Sequence, residues 1–532
     1  MSKRLLLVGA FLLAASPLAF SDRVITIDGR QLTVNKARAE GEGYRLEFPH
    51  GTITLQDGSL VKAVEIEGDM SDYVPKDDRE RDFLEKGFVR YHGKWMSKRG
   101  YETELAKEAK ASTEAADEAA AYSEWKNALE IETKYFRLRS NTSPELIEYY
   151  GRLLDAYYKL MNKRVGISPT PTMRGLKLRV NIYKSREEFT KRTGMAPGVA
   201  GFFMPQGKTS NLNFYHDYPD PSTSQWIALH ECTHLLTFLI DQQFRPQIWI
   251  NEAVADYFGS ADITEDKRGK LTITPGKLQT DRVLTVQQAI KDDKAIHLKN
   301  LFNLEKSEFQ AFQYAHAWSF VYFLNNGNKG KYAKGFTKFF KDLYTLKGVV
   351  SENVASYGQT GMGKQVKPDD IRDLLLKKIK VKDLDKLETE WLAFIAAIPI
   401  SAPEARLKRG MRASMMGDFD AALEDLDAAI EGGISDARAF ASRAAALSYS
   451  GNTEKALGDI ERAIELDPLN AEYRFDRSHF LLDMPSFYNM QQMRSMLIEK
   501  DNIGVAREAA GLAADLDPMN KFYATWVETI AE

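Results

Sequence analysis

The chain has 532 residues, room for several domains rather than one. Hydrophobic residues make up 44% and charged residues 28%, the balance of an ordinary globular protein, and the net charge of −3 excludes a general electrostatic pull toward nucleic acid or an anionic membrane. Cys232 is the single cysteine, which excludes a disulfide within the chain in any compartment and leaves core packing and bound metal to supply stability.

At the N-terminus, Lys3 and Arg4 precede an apolar run over residues 5–15, followed by Ser16-Pro17 and small residues. This is the layout of a cleaved secretory signal, and Ala19 and Ser21 suit a cut after Ser21. The run is short for a bilayer span, no cysteine follows it to carry a lipid, and no second long apolar stretch exists. The expectation is an exported chain, periplasmic or extracellular, with no stable membrane insertion once residues 1–21 are removed.

Residues 22–75 read as a small β module. Apolar runs at residues 24–27, 44–48, 52–55 and 61–66 are separated by Asp28-Gly29, Gly51 and Asp57-Gly58. Residues 76–130 read as a charged linker followed by a long exposed helix, rich in Ala, Glu and Lys from residue 101 onward. A strand is predicted over residues 135–138. Leu146, Tyr149, Leu153, Tyr157 and Leu160 recur on one face of a helix over residues 144–161. Residues 176–183 alternate as a strand, and residues 211–215 form a shorter one. Helices are expected to dominate from there to about residue 397.

The last segment repeats itself. Gly417, Ala422, Leu423, Asp425, Ala429 and Ile430 recur as Gly451, Ala456, Leu457, Asp459, Ala463 and Ile464, every spacing being 34. That period, ending in Leu466-Asp467-Pro468, marks tetratricopeptide repeats. A weaker third copy ends in Leu516-Asp517-Pro518, with about 16 extra residues around positions 484–499, and residues 519–532 read as a capping helix. The expected fold is therefore multidomain: a small N-terminal β module, an α+β domain over residues 131–400, and an all-α repeat array over residues 401–532.

The strongest chemical signal is His230-Glu231-Cys232-Thr233-His234. On a helix, residues four apart share a face, so two imidazoles one turn apart can bind one tetrahedral zinc while Glu231 stands beside the open position. The flanking Trp226, Ile227, Leu229, Leu235, Leu236, Phe238 and Leu239 support a helix. Eighteen positions after His234, Glu252 opens a second helix-like stretch, Asn251-Glu252-Ala253-Val254-Ala255-Asp256. Glu252 can supply the third ligand, and Asp256, one turn on, can accept the other N–H of a ligand histidine and fix its tautomer. Alone, the five-residue pattern is equally compatible with two core or surface histidines; the second helix makes one bound zinc the expectation. Two positions from His230, Cys232 points to another helix face and reads as a small buried residue. His216 reads as a surface residue.

The HExxH helix, the Asn-Glu-Ala-x-x-Asp helix and a preceding strand resemble the gluzincin peptidases, specifically the peptidase-MA-like domains of exported bacterial proteins, over about residues 131–397. The resemblance implies a short mixed sheet, an edge strand that pairs with substrate, and a mostly helical second lobe, with zinc between them. It places the edge strand at Asn211, Leu212, Asn213, Phe214 and Tyr215. It implies that Glu231 is the general base and that an oxyanion donor sits on a later helix. Tyr314 resembles the family's catalytic tyrosine, with His316 as competitor, and ordinary packing is the other reading of each. The aminopeptidase branch carries a Gly-x-Met-Glu-Asn motif that this chain lacks, and the gap from His234 to Glu252 is one residue shorter than in that branch, so aminopeptidase action is not expected. The implied function is an exported zinc metallopeptidase acting on peptide or protein substrates, with the repeats recruiting a substrate or protein partner. The alternatives are a non-catalytic exported scaffold that binds through its repeats, and metal-dependent hydrolysis of a non-peptide substrate.

Overall fold

The computed structural model describes residues 22–71, 73–167, 174–196, 199–216, 221–355, 362–482, 502–518 and 520–531. The expected export signal at residues 1–21 and the extra residues expected around 484–499 lie outside them. The chain divides into two compact units, Met1–Ala116 together with Gly451–Glu532, and Asp117–Ser450. This division cuts across the repeat array instead of following a boundary near residue 400.

In the first unit, alternating apolar residues build two three-stranded antiparallel sheets. Strands β1 (Asp22–Thr26), β2 (Gln31–Val34) and β6 (Val61–Glu65) form one, in the order β2-β1-β6; β3 (Lys36–Glu40), β4 (Gly43–Phe48) and β5 (Gly51–Leu55) form the other. Helix α1 (Asp78–Glu85), capped by Asp77, precedes a hairpin of β7 (Phe88–Tyr91) and β8 (Lys94–Ser97). Helix α2 (Lys98–Ser123) realises the Ala- and Glu-rich run.

The second unit opens on a five-stranded sheet made from β9 (Leu129–Glu132), β10 (Phe136–Ser140), β11 (Leu178–Tyr183), β12 (Gly201–Met204) and β13 (Asn211–Tyr215), in the order β12-β13-β11-β10-β9. The three central strands run parallel, and β9 and β12 pair antiparallel on the two edges. Leu138, Val180, Ile182, Leu212 and Phe214 are buried in the same core as helix α3 (Pro144–Val165). That helix is started by the Ser143 cap with Pro144 behind it and stopped by Gly166 in the left-handed region, φ 73°.

This topology corrects one expectation. Asn211, Leu212, Asn213, Phe214 and Tyr215 form an interior strand, because Gly201-Phe202-Phe203-Met204 pairs alongside and takes the edge. The edge strand is four residues long and does not alternate between buried and exposed positions, so it carries no strand period for a sequence reading to detect. It also approaches the next helix closely: a Cβ on Gly201 would stand 2.4 Å from Ile227 Cγ2.

Helix α4 (Arg186–Thr193) precedes the edge strand, and helices α5 (Pro221–Phe238) and α6 (Ile248–Gly259) follow the sheet. A hairpin of β14 (Ala261–Glu265) and β15 (Leu271–Pro275) leads to α7 (Thr280–Lys291), the short α8 (Leu298–Leu301), α9 (Ala311–Gly330) and α10 (Ala333–Tyr344). A second hairpin, β16 (Ser351–Ala355) with β17 (Met362–Val366), precedes α11 (Pro368–Ile379) and α12 (Leu384–Ala396). Three helices of the repeat array complete this unit: α13 (Ala402–Met416), α14 (Phe419–Glu431) and α15 (Ala437–Tyr449).

The remaining helices, α16 (Thr453–Leu466), α17 (Ala471–Leu481), α18 (Ile503–Leu516) and α19 (Lys521–Ala531), belong to the first unit. Repeat-equivalent positions have equivalent environments. Gly417 and Gly451 turn the chain at φ 78° and 77°, a conformation that favours glycine. Ala422 and Ala456, like Ala429 and Ala463, are fully buried. Leu469, Leu512 and Leu516 share one hydrophobic core with Val24, Leu32, Leu46, Ile53 and Leu55 of the β module, so the two ends of the sequence form one body. Among the described residues no helix is long and apolar enough to cross a membrane.

Candidate metal centre

Helix α5 is anchored in the core through Ala228, Leu229, Cys232, Leu235 and Leu236, all fully buried. Burial raises the Cys232 thiol pKa, so this residue is an uncharged packing group, as its place on the helix predicted. His230 and His234, one turn apart, share a face of this helix, with Glu231 next to the first. Helix α6 crosses close by. A Cβ on Gly259, the last residue of α6, would lie 3.1 Å from the His230 backbone nitrogen, so a bare glycine permits this approach.

The crossing brings His230, His234 and Glu252 together. His230 Nε2 is 3.2 Å from His234 Nε2 and 3.3 Å from Glu252 Oε2, and His234 Nε2 is 3.6 Å from the same oxygen. For a tetrahedral zinc with ligand bonds of about 2.0–2.1 Å, adjacent ligand atoms stand about 3.3–3.4 Å apart. The three distances bracket that edge length, so the donor set fits a single small tetrahedral cation. Two nitrogen donors and one carboxylate oxygen also suit zinc chemically.

Two of the three, His230 and Glu252, are oriented by further groups. Asp256 Oδ1 accepts from His230 Nδ1 at 3.0 Å, which leaves Nε2 facing the other two ligands. Asn251 Nδ2 donates to Glu252 Oε1 at 3.1 Å, and the Tyr314 hydroxyl donates to Glu252 Oε2 at 3.1 Å. Burial disfavours the charge on Glu252, but the two imidazoles outweigh it and hold the carboxyl well below its usual range. Burial likewise works against an imidazolium at His230, and hydrogen bonds to Asp256 and Glu252 overcome it, raising the group to about 10. Burial, with the charges of Glu252 and Asp256, raises Tyr314 and keeps its phenol protonated.

Glu231 stays outside the ligand triangle, with Oε1 4.0 Å from His230 Nε2. Its side chain is 14% exposed, close to the 10–13% of His230, His234 and Glu252. A free acceptor beside a three-ligand cation site is the arrangement that removes a proton from an attacking water.

The structure treats the other predicted residues unequally. Tyr314, on α9, reaches the cluster. His316, two residues on, points to the opposite side of the helix and is fully buried. Its Nδ1–H donates to the Phe312 carbonyl at 2.8 Å, and its ring packs on Phe312 and Trp391. Burial pulls its pKa down to about 4, so it is a neutral core residue in this geometry. His216 is not on the surface as expected. It is buried, hydrogen-bonded to the Tyr150 hydroxyl at 3.0 Å, and pulled down by burial to about 4.

A group that the sequence reading did not reach lies behind Asp256. Arg282 NH2 stands 2.5 Å from Asp256 Oδ2, and Gln279, Asp281 and Arg412 extend the same buried cluster. The adjacent Asp281-Arg282 in the first turn of α7, beside Val283 and Leu284, is a weak signal of buried charge. Nothing in the spacing links either residue to Arg412, which is 131 positions from Asp281.

A family described as a protein of unknown function (DUF1570) matches residues 227–342, the segment that carries His230, Glu231, His234, Glu252, Asp256, Arg282 and Tyr314. No curated protein compared with the chain matches it.

Proposed function

We propose that this chain is an exported zinc-dependent peptidase, with His230, His234 and Glu252 as ligands and Glu231 as general base. The observation that carries the reading is the ligand triangle of 3.2, 3.3 and 3.6 Å with an unligated carboxylate beside it. Export rests on the charged and apolar pattern of residues 1–21.

A bound zinc ion would lower the pKa of a water toward neutrality and polarise the scissile carbonyl. Glu231 accepts the proton that the attacking water gives up and returns it to the leaving amine. Tyr314, held protonated, gives its hydrogen bond to the developing oxyanion in place of Glu252. Asp256 fixes the His230 tautomer throughout. The edge strand β12 offers main-chain groups to an extended peptide, taking the role expected of β13. The helical hairpins at a period of 34 act as tetratricopeptide repeats that recruit a substrate or protein partner.

The test is mass-spectrometric profiling of new peptide termini in a denatured-protein mixture, with zinc-loaded wild type beside Glu231→Gln. Wild type should generate new termini and the variant should not. Equal cleavage by both, or none by either, would replace this reading with the scaffold that binds through its repeats.

A further inference from the structure

The polar chain that begins at the ligands continues past Asp256 into the repeat array. We propose that Arg282 is a positioning residue of the metal centre and that Arg412, on the first repeat helix α13, holds it in place, making that helix a working part of the site. The inference rests on reading the cluster as a zinc site.

The two oxygens of Asp256 are divided. Oδ1 takes the His230 Nδ1 contact at 3.0 Å, and Oδ2 faces Arg282 NH2 at 2.5 Å. A carboxylate with a hydrogen bond at one oxygen and a guanidinium against the other is restrained in rotation, and its orientation decides which ring nitrogen of His230 faces the ligand triangle. Arg282 is pinned in turn: its Nε donates to Gln279 Oε1 at 3.1 Å. The same oxygen accepts from Arg412 NH2 at 3.0 Å, while Arg412 Nε donates to Asp281 Oδ2 at 2.8 Å. Asp256, Gln279, Asp281 and Arg282 are all nine-tenths buried or more.

The two guanidinium groups also bracket the site through aromatic rings. Arg282 lies 5.5 Å from the centre of the Tyr314 ring. Arg412 lies 4.9 Å from the centre of the Trp226 ring, and Trp226 packs on His230 at 5.6 Å, one turn earlier on α5. A second tie joins α13 to α7, where Arg409 NH1 donates to Gln288 Oε1 at 2.9 Å and to Thr285 Oγ1 at 3.3 Å. Buried ion pairs are weak devices for stability, since hydrophobic residues of the same volume do as well. They are strong devices for orientation, because arginine presents several donors in a fixed plane. A chain of five polar side chains, Asp256, Arg282, Gln279, Arg412 and Asp281, that ends on His230 is explained by orientation.

The experiment uses the full chain and reads zinc affinity by competition with a chromophoric chelator. Cobalt(II) absorption reports ligand geometry, and far-ultraviolet circular dichroism confirms folding. Arg282→Gln should weaken zinc binding about 10- to 100-fold and shift the cobalt bands. Arg282→Lys, which keeps the charge without the planar fork, should recover part of the loss; it also serves if the glutamine variant does not fold. Arg412→Ala and Arg412→Lys should weaken zinc binding less, and Arg282→Lys with Arg412→Lys together should cost less than the product of the single effects. Arg443→Ala, which breaks the Arg443–Asp427 pair at 2.7 Å elsewhere in the array, should leave zinc affinity unchanged. Folded Arg282 variants with wild-type zinc affinity and cobalt bands overturn the proposal. Unaltered affinity in both Arg412 variants overturns its extension to the repeat. A wild-type chain that binds no zinc refutes the underlying site reading instead.

Discussion

At the scale of single residues, the proposed function assigns cation binding and proton transfer to different members of the cluster. His234 Nε2 lies 3.2 and 3.6 Å from its two neighbours in the cluster, so under the proposed zinc site His234→Ala should abolish stoichiometric zinc, read by metal analysis after gel filtration. Glu231 lies outside the triangle, so Glu231→Gln should retain zinc while losing turnover. Tyr314 should give a different signature. Its hydroxyl donates to Glu252, and in the proposed mechanism it turns to the oxyanion only as charge develops. Tyr314→Phe should therefore keep zinc and lower kcat by roughly 100- to 1000-fold, with a much smaller change in KM. A Tyr314→Phe enzyme with full turnover would remove the phenol from the mechanism and leave the proposed metal site standing.

At the scale of elements, two close approaches decide how the parts fit. The first is the crossing of α5 and α6 at Gly259. Gly259→Val forces branched carbons against the His230 backbone, so it should weaken zinc binding and lower Tm together, whereas a purely distant packing defect would lower Tm alone. The second is between α18 and the β module, where a Cβ on Gly511 would stand 2.3 Å from His50 Cβ. There His50 Nδ1 lies 2.9 Å from Asp515 Oδ1, and the His50 backbone N–H donates to Asp515 Oδ2 at 3.0 Å. The hydrogen bond to Asp515 raises the His50 pKa despite partial burial. A histidine raised on folding contributes stability that is complete below its unfolded pKa of about 6.5 and is lost as pH rises through the folded value. The wild type should therefore lose more stability than His50→Gln between pH 6 and pH 8.5, by a small margin because the ring is partly solvated. Melting curves of both proteins at the two pH values check this; parallel curves would show that the pair carries no charge coupling.

At the scale of the whole molecule, the two compact units each draw on the repeat array. The first unit is stapled through Leu469, Leu512 and Leu516, which share the core of the β module. Leu512→Ala should cost about 2–5 kcal/mol of that unit's stability, measured by chemical denaturation. In the second unit, Arg409 and Arg412 of α13 find their partners on α7. A fragment of residues 402–532 would expose both surfaces at once. It should be helical by circular dichroism yet melt broadly, and a sharp cooperative transition would show that the array stands alone.

How much of this was legible beforehand depends on the range of the interactions. The HExxH pair and the Glu252-to-Asp256 step are local: helical geometry alone places the members of each pair on one face, so the three residues that meet in the cluster, and Asp256 beside them, were readable from the sequence. The 34-residue period and the alternation in the N-terminal strands are local in the same sense, and the helical hairpins and small β sheets were readable from them. The edge of the central sheet was not, because β12 is too short to show a period and strand order is set by pairing between distant segments. The sequence favoured Tyr314 with His316 as competitor; the packing of α9 turns the first toward Glu252 and the second into the core. The Arg282–Gln279–Arg412 relay depends on contacts across more than a hundred residues, as does the joining of the β module to the last helices. Those were decided by the tertiary structure alone, because burial of apolar surface is indifferent to sequence separation and leaves no local pattern to read.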